Sequence, residues 1–324
     1  MKYTGKIAVL LICLLAPMLF VGSAYENTGK ESASDNRFNL LVCGKDSTSG
    51  LDDTIMLISV DETQNSVVFL QIPRDTYVNF GGDGYKKING ASQKLGGYKA
   101  LCRELSDSVG VKIDGYVAFD SEFVKKAIDA IGGVEVNVPC NMDYDDPYQD
   151  LSIHLKKGMQ TLDGKSAVGF VRYRSGYLRA DIGRMDAQKI FIASLARSFA
   201  EKAKGLKLLS LASLSLRYIK TDVPINKLLA TYNVLKDSSF EKMSFATMPG
   251  EEVRSKQSGA WFYILSKSGC RELVEKIGGV GFDEAHIYSD KSRGEFEEIY
   301  NREIKARVYT AEEIDSKGIE IIPK

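Results

Sequence analysis

The sequence predicts an α/β fold, a layered α-β-α domain around a central mixed sheet, on three observations. The runs FNLLVCG (38–44), TIMLISVD (54–61) and SVVFLQIP (66–73) are short, apolar throughout and closed by turn residues, as strands buried on both faces must be. After residue 98, strand-like and helix-like segments alternate. GRMDAQKIFIASLARSFAEKA (183–203) then supplies the longest amphipathic helix.

Taken in order, KALCRELSDSVG (99–110) has apolar residues at helical spacing and ends in a glycine suited to a C-terminal cap. Strand GYVAFD (115–120), helix SEFVKKAIDAIGG (121–133) with Ser121 as N-cap, and strand VEVNV (134–138) follow. The stretch 151–174 reads as a short strand, a glycine turn, a small helix and a further strand ending in FVRYR. Helices near 206–218, 225–236 and 268–277 and a strand at KMSFATMPG complete the pattern. No linker interrupts it, so 37–280 reads as one extracytoplasmic domain, with 281–324 a charged tail wrapping back as a helix and a hairpin.

Upstream, Ile7 to Ala24 carries no charge and follows Lys2 and Lys6, which is one bilayer crossing if helical. Positive charge on the short flank keeps the N-terminus inside. Residues 1–24 are therefore read as a membrane anchor and 25–36, polar and small, as a tether. The expected location is the cell membrane, single-pass, with the C-terminal domain outside the cytoplasm. Gly22 and Ala24 also resemble a signal-peptidase site, but the apolar run exceeds an ordinary signal-peptide core. Cys43, Cys102, Cys140 and Cys270 permit three disulfide pairings in an exported chain, or serve as small buried thiols.

Lys+Arg and Asp+Glu both total 43, so no global basic field points to nucleic acid, and any phosphate recognition must be local. FVRYRSGYLRADIGR (170–184) concentrates four arginines and one aspartate. As a strand, FVRYR puts Arg172 and Arg174 on one face about 7 Å apart. Asp181 precedes the long helix, where Arg184 and Gln188 share a face. A helix N-terminus met by guanidinium forks suits phosphate or pyrophosphate, and a salt-bridged edge strand is the alternative. IPRDTYV (72–78) places Arg74 and Asp75 at a strand end, and YKKING (85–90) brings Lys87 and Asn89. In GKDSTSGLDDT (44–54), Asp46 follows one strand and Asp53 precedes the next, a pair of hard oxygen ligands that suits Mg²⁺ or Mn²⁺ beside a substrate phosphate. His154 and His286 stand alone in sequence, and WFY at 261–263 reads as packing.

GKD, DDT, IPRDTYV, KING, IDAIGGVEV, KKGMQTLDGKSAVGFVRYR, DIGR followed by Gln188, and MPG (248–250) together resemble, in order, the motifs of the LytR-CpsA-Psr family. The resemblance implies a membrane-anchored phosphotransferase of bacterial cell-wall assembly. Such enzymes move a glycopolymer, such as teichoic acid or capsule, from an undecaprenyl-pyrophosphate carrier to peptidoglycan as a phosphodiester. It further implies that Asp46 and Asp53 hold the metal and that Arg74, Lys87, Arg172, Arg174, Arg184 and Gln188 surround the pyrophosphate. Asp75 and Asp181 would orient the arginines, with Asp75 as base and Arg74 beside it in catalysis. Thr48 and Leu51 stand where the family usually has arginines, and Ala187 replaces another. A carrier-binding protein without turnover and a phosphatase therefore remain alternatives.

Overall fold

Side chains alternate along an extended strand, so a strand apolar in both phases must be covered on both faces. The computed structural model describes residues 36–79, 86–149, 151–202, 206–238, 240–276, 290–321 and 323. In β1 (Arg37–Lys45), Phe38, Leu40 and Val42 enter one core while Leu41 and Cys43 enter the other. β2 (Asp52–Asp61) and β3 (Ser66–Ile72) do the same and pair antiparallel in sequence. A small ribbon of β4 (Tyr77–Val78) and β5 (Lys86–Lys87) leads to α1 (Ala91–Lys94) and α2 (Tyr98–Val109), which Gly110 ends in the left-handed conformation.

β6 (Gly115–Asp120), α3 (Ser121–Ile131) and β7 (Val134–Val138) match the sequence reading, with one correction. Asp120, not Ser121, is the N-cap of α3: its carboxylate accepts from the Phe123 N–H, while the Ser121 hydroxyl meets Ser47 at 2.7 Å. Asp120→Ala should thus destabilise the fold by about 1 kcal/mol and Ser121→Ala by a few tenths. Urea titration of both variants checks this, and the reverse order would return the cap to Ser121.

A hairpin of β8 (Met142–Asp146) and β9 (Leu151–Leu155) follows, and β10 (Gly158–Leu162) pairs with β7. FVRYR is not a strand. It ends α4 (Gly164–Arg172), capped by Asp163, because Ala167, Phe170 and Tyr173 recur every three residues and all three are buried, which is a helical period. Arg172 closes that helix and Arg174 lies in the turn beyond it. α5 (Ala180–Lys202) begins three residues before the predicted start, drawing Asp181 into its first turn. Gly183 has no substitute there, since a Cβ would lie 2.6 Å from the Cβ of buried Tyr177.

α6 (Leu206–Tyr218), β11 (Lys220–Thr221), α7 (Ile225–Asp237), β12 (Met243–Thr247), the hairpin of β13 (Gly250–Arg254) and β14 (Trp261–Leu265), and α8 (Lys267–Lys276) follow. In the tail, α9 (Asp290–Asn301) precedes β15 (Val308–Thr310) and α10 (Ala311–Lys317). β15 pairs with β12 instead of forming a hairpin within the tail. The central sheet has the order β11-β6-β1-β2-β3-β12-β15, with β1/β6 and β3/β12 parallel and the other neighbours antiparallel. It is the predicted mixed sheet, and helices cover both faces.

Two smaller readings change, and of the two left open for the cysteines the thiol reading holds. Phe262 and Tyr263 pack in the core, but Trp261 is 58% exposed. His154 is not alone: its ring meets Asp143 at 2.6 Å and Asp145 at 3.3 Å across the β8–β9 hairpin. All four described cysteines are free thiols, with Cys43, Cys102 and Cys270 buried. The apolar segment 7–24 and His286 lie outside the described residues, and among the described residues no helix is long and apolar enough to cross a membrane.

Candidate active site

Strand polarity gathers the site. β1 ends, β2 begins and β3 ends at one edge of the sheet, so the segments carrying Asp46, Asp53 and Arg74 converge there. β6 and β12, parallel to β1 and β3, end at the same edge, the place where α/β sheets form their clefts. The β1–β2 register skips Asp53: Gly44 faces Thr54 and Lys45 faces Asp52. This bulge turns two consecutive aspartates to different tasks. Asp52 is fully buried and accepts from Ser92 (2.6 Å) and Tyr98 (2.8 Å), pinning α1 and α2 to the sheet edge. Asp53 faces the cleft.

That cleft is a cavity of about 830 Å³. Asp46, Asp53, Arg74, Asp75, Lys87, Arg172, Arg174, Asp181 and Arg184 all line it, so nine of the ten predicted site residues meet in one place. Asn89 lines it as well. Asp181 is the hub. It accepts from Arg184 Nε and Nη2 at 3.0 and 3.1 Å, with Arg74 Nε at 3.7 Å and Arg174 Nη1 at 3.8 Å. Arg184 also donates to the Asp53 carbonyl at 3.1 Å. Arg74 pairs with the Asp53 carboxylate, Arg172 with Asp46 at 2.7 Å, and Lys87 with Asp75 at 2.8 Å.

The electrostatics divide these groups. Burial pushes the Asp46 carboxyl up, but the Ser49 and Thr48 N–H groups and the Arg172 and Arg74 guanidiniums together hold it below the ordinary range. Burial weakens the Arg74 cation, and Asp53, Asp181 and Asp75 more than restore it. Arg174 goes the other way: burial, then the like charges of Arg74 and Arg184, disfavour its cation more than the carboxylates favour it. Its nearest carboxylate, Asp181 at 3.8 Å, is also farther away than those of Arg74, Arg172 and Arg184.

Sequence reasoning missed Glu252, which enters the cavity from β13. Burial, then the charges of Asp181 and Asp75, raise its acid pKa. No motif signalled it, because its position depends on how the β13–β14 hairpin docks. With Glu252 counted, five cations and five carboxylates line the cavity, and Thr48 and Leu51 sit in its wall where arginines were expected.

Gln188, the tenth predicted residue, stands at a different boundary. It donates to the Val171 carbonyl (3.1 Å), accepts from Gln71 (3.1 Å), and borders an apolar cavity of about 150 Å³ between β1–β2 and helices α3 and α5. Phe119, Phe123, Ile128, Phe191 and Leu195 line that slot. A smaller cavity of about 70 Å³ shares Asp46, Asp53, Arg172 and Arg184 with the charged cleft, and Phe119, Val124, Val171 and Gln188 with the slot. The charged cleft and the apolar slot share no lining residue, and this small cavity, which Gln188 lines together with the slot, lies between them. The family resemblance implies an apolar slot for a lipid tail, but its walls could not be assigned from sequence.

Two hard-oxygen carboxylates, Asp46 and Asp53, on the wall of a charge-balanced cavity suit a divalent cation that arrives with a phosphate ligand. Among the described residues no group of three His, Cys, Asp or Glu side chains forms a cage for a metal by itself.

Known proteins share this architecture. The polyisoprenyl-teichoic acid--peptidoglycan teichoic acid transferase TagU of Oceanobacillus iheyensis is 30% identical over 258 residues, 77% of this chain and 77% of its own. The crystal structure of Bacillus subtilis TagV superposes with a TM-score of 0.62 at 24% identity, over 75% of this chain and 96% of that chain. TagT bound to LI-WTA superposes at 0.59 with 17% identity, over 78% and 93%. The LytR_cpsA_psr family model matches residues 22–292, and the chain belongs to that family.

Proposed function

We propose that this protein transfers a glycopolymer, such as a teichoic acid or capsule, from an undecaprenyl-pyrophosphate carrier to peptidoglycan, leaving a phosphodiester. The observation that carries the reading is the small cavity lined by Gln188, which shares Asp46, Asp53, Arg172 and Arg184 with a guanidinium-lined cavity on one side and Phe119, Val124 and Val171 with an apolar slot on the other. A ligand filling both has a polyanionic head and a hydrocarbon tail, which is the form of a polyprenyl pyrophosphate. Kinship with TagU, named for transfer from a polyisoprenyl carrier to peptidoglycan, supports the same conclusion.

Arg74, Arg172, Arg174 and Arg184 hold the pyrophosphate oxygens, Asp181 and Asp75 keep the cations in register, and Gln188 marks where head becomes tail. A hydroxyl of the wall acceptor attacks the phosphorus nearer the sugar, and Asp75 takes its proton. The bond to the bridging oxygen breaks and undecaprenyl phosphate leaves. Fixed positive charge and in-line positioning carry such a reaction. Asp46 and Asp53 would hold Mg²⁺ or Mn²⁺, which supplies charge the balanced cavity lacks once a pyrophosphate enters. In this reading residues 1–24 anchor the protein in the cell membrane, 25–36 tether it, and 37–280 with the tail 281–324 work outside the cytoplasm.

A second reading, carrier binding without turnover, is favoured by one feature: Thr48 and Leu51 leave the cavity without net positive charge.

The deciding experiment incubates the protein with a short undecaprenyl-pyrophosphate glycan, peptidoglycan fragments and Mg²⁺, with and without chelator. Glycan on the wall fragment together with undecaprenyl phosphate, both lost with chelator, is expected. Asp53→Ala should remove the metal response and reduce transfer roughly 100-fold or more. Tight carrier binding without release would leave the binding reading, and release without wall-linked glycan would mean a phosphatase.

A further inference from the structure

A second charged cavity, of about 240 Å³, lies behind the first. Gly250 lines this second space and Glu252, on the same strand, lines the first. At the start of α5, Arg179 and Ile182 border the second, while Ala180 and Asp181 border the first. The two cavities therefore border neighbouring residues of β13 and of the start of α5, though no residue lines both. At the base of the second is Lys189, 2% exposed, bonded to Asp186 at 2.7 Å and to the Thr247 hydroxyl at 2.8 Å. An ammonium has three donors, and these partners use two. Arg179, Lys305 and Arg307, all exposed, ring the opening, and Asp186 is the one carboxylate among its lining residues. Burial, with a further push from Arg179, holds the Lys189 pKa below its ordinary value despite Asp186.

Asp186 matches Lys189 but not the other cations around the pocket. Here four cations from two segments, 179–189 and 305–307, face Asp186 in the lining and Glu303, which stands outside it 3.9 Å from Lys305, an arrangement short of negative charge. We propose that this pocket is an anion subsite that takes a phosphate group of the carried polymer, beyond the pyrophosphate held in the first cavity. Lys189 gives the buried donor, and Arg179, Arg307 and Lys305 supply the surrounding charge. Arg179 borders the second cavity and adjoins Ala180 and Asp181 of the first, so in this proposal a polyanion leaving the first meets the second along the protein surface. The identity of the anion rests on the proposed function, whereas the existence of the subsite does not.

The test uses the full chain in detergent and two probes, undecaprenyl pyrophosphate without glycan and a lipid-free glycerol-phosphate oligomer, each titrated by calorimetry. Arg179→Ala with Arg307→Ala, two exposed positions, should weaken oligomer binding at least about tenfold and leave the lipid probe unaffected. Arg174→Ala should do the opposite. Lys189→Gln, which keeps a donor toward Thr247, should weaken the oligomer as well. Equal oligomer binding by the wild type and the Arg179/Arg307 double variant would overturn the subsite, as would no oligomer binding by the wild type. Displacement of the oligomer by an equimolar carboxylate peptide would overturn the phosphate assignment. Oligomer binding that depends on Arg179 and Arg307, in a protein that ignores the lipid probe, would keep the subsite and sink the proposed function.

Discussion

Arg174→Ala is expected to lower affinity for undecaprenyl pyrophosphate about 100-fold, to abolish transfer, and to leave thermal stability unchanged or slightly higher. Arg74, Arg172 and Arg184 are each committed to a carboxylate within the protein, but Arg174 reaches Asp181 only at 3.8 Å and its side chain stays 41% exposed. Its charge is opposed in the folded state by burial and by Arg74 and Arg184. Removing it relieves repulsion in the free protein and forfeits charge-assisted bonds only when an anion is present. Such bonds contribute about 1.5–3 kcal/mol each, so one guanidinium making one or two of them accounts for the factor. Calorimetric titration alongside a melting curve separates the two effects. A variant that melts well below the parent would make Arg174 a structural residue and withdraw it from the site.

The second large effect concerns the tail. Ala127 is buried on α3 and lines the apolar slot. Ala127→Leu adds three carbons to a cavity of about 150 Å³ and competes with the lipid for the same volume. At about 0.8 kcal/mol per buried methylene, excluding three lipid carbons costs about 2.4 kcal/mol, roughly a 50-fold loss of affinity for the full-length carrier. Inorganic pyrophosphate, which has no tail, should bind the variant as it binds the parent. Filling the void is expected to raise stability by about 1 kcal/mol. Undiminished carrier affinity would place the tail elsewhere, for example in the bilayer, and would remove the main support for a polyprenyl ligand.

How the parts became legible follows from the range of the interactions. The buried strands 38–44, 54–61 and 66–73 were readable because apolar continuity is a local property, and each appears within two residues of its expected ends. Arg74, Asp75, Asp46 and Asp53 were readable as site candidates because they sit at strand ends, where chain direction alone brings segments together. FVRYR failed for the same reason in reverse. Its apolar and polar residues alternate over four positions, from Val171 to Arg174, which looks like a strand, yet Ala167, Phe170 and Tyr173 bury at a spacing of three once Asp163 has started a helix. The arginines reached the cavity all the same, one from the helix end and one from the turn.

What the sequence by itself determined is therefore the mixed α/β class, the buried strands β1, β2 and β3, and the cluster of charges that belongs at their ends. Tertiary structure alone decided that Glu252 balances those charges, that Phe119, Phe123 and Leu195 enclose a slot rather than a solid core, and that Lys189 lies beneath a second ring of cations. Periodicity and turn chemistry act within a few residues and leave a trace in the chain. Cavities and charge balances arise between segments up to some two hundred residues apart, and the order of residues along the chain holds no local record of which surfaces will face each other.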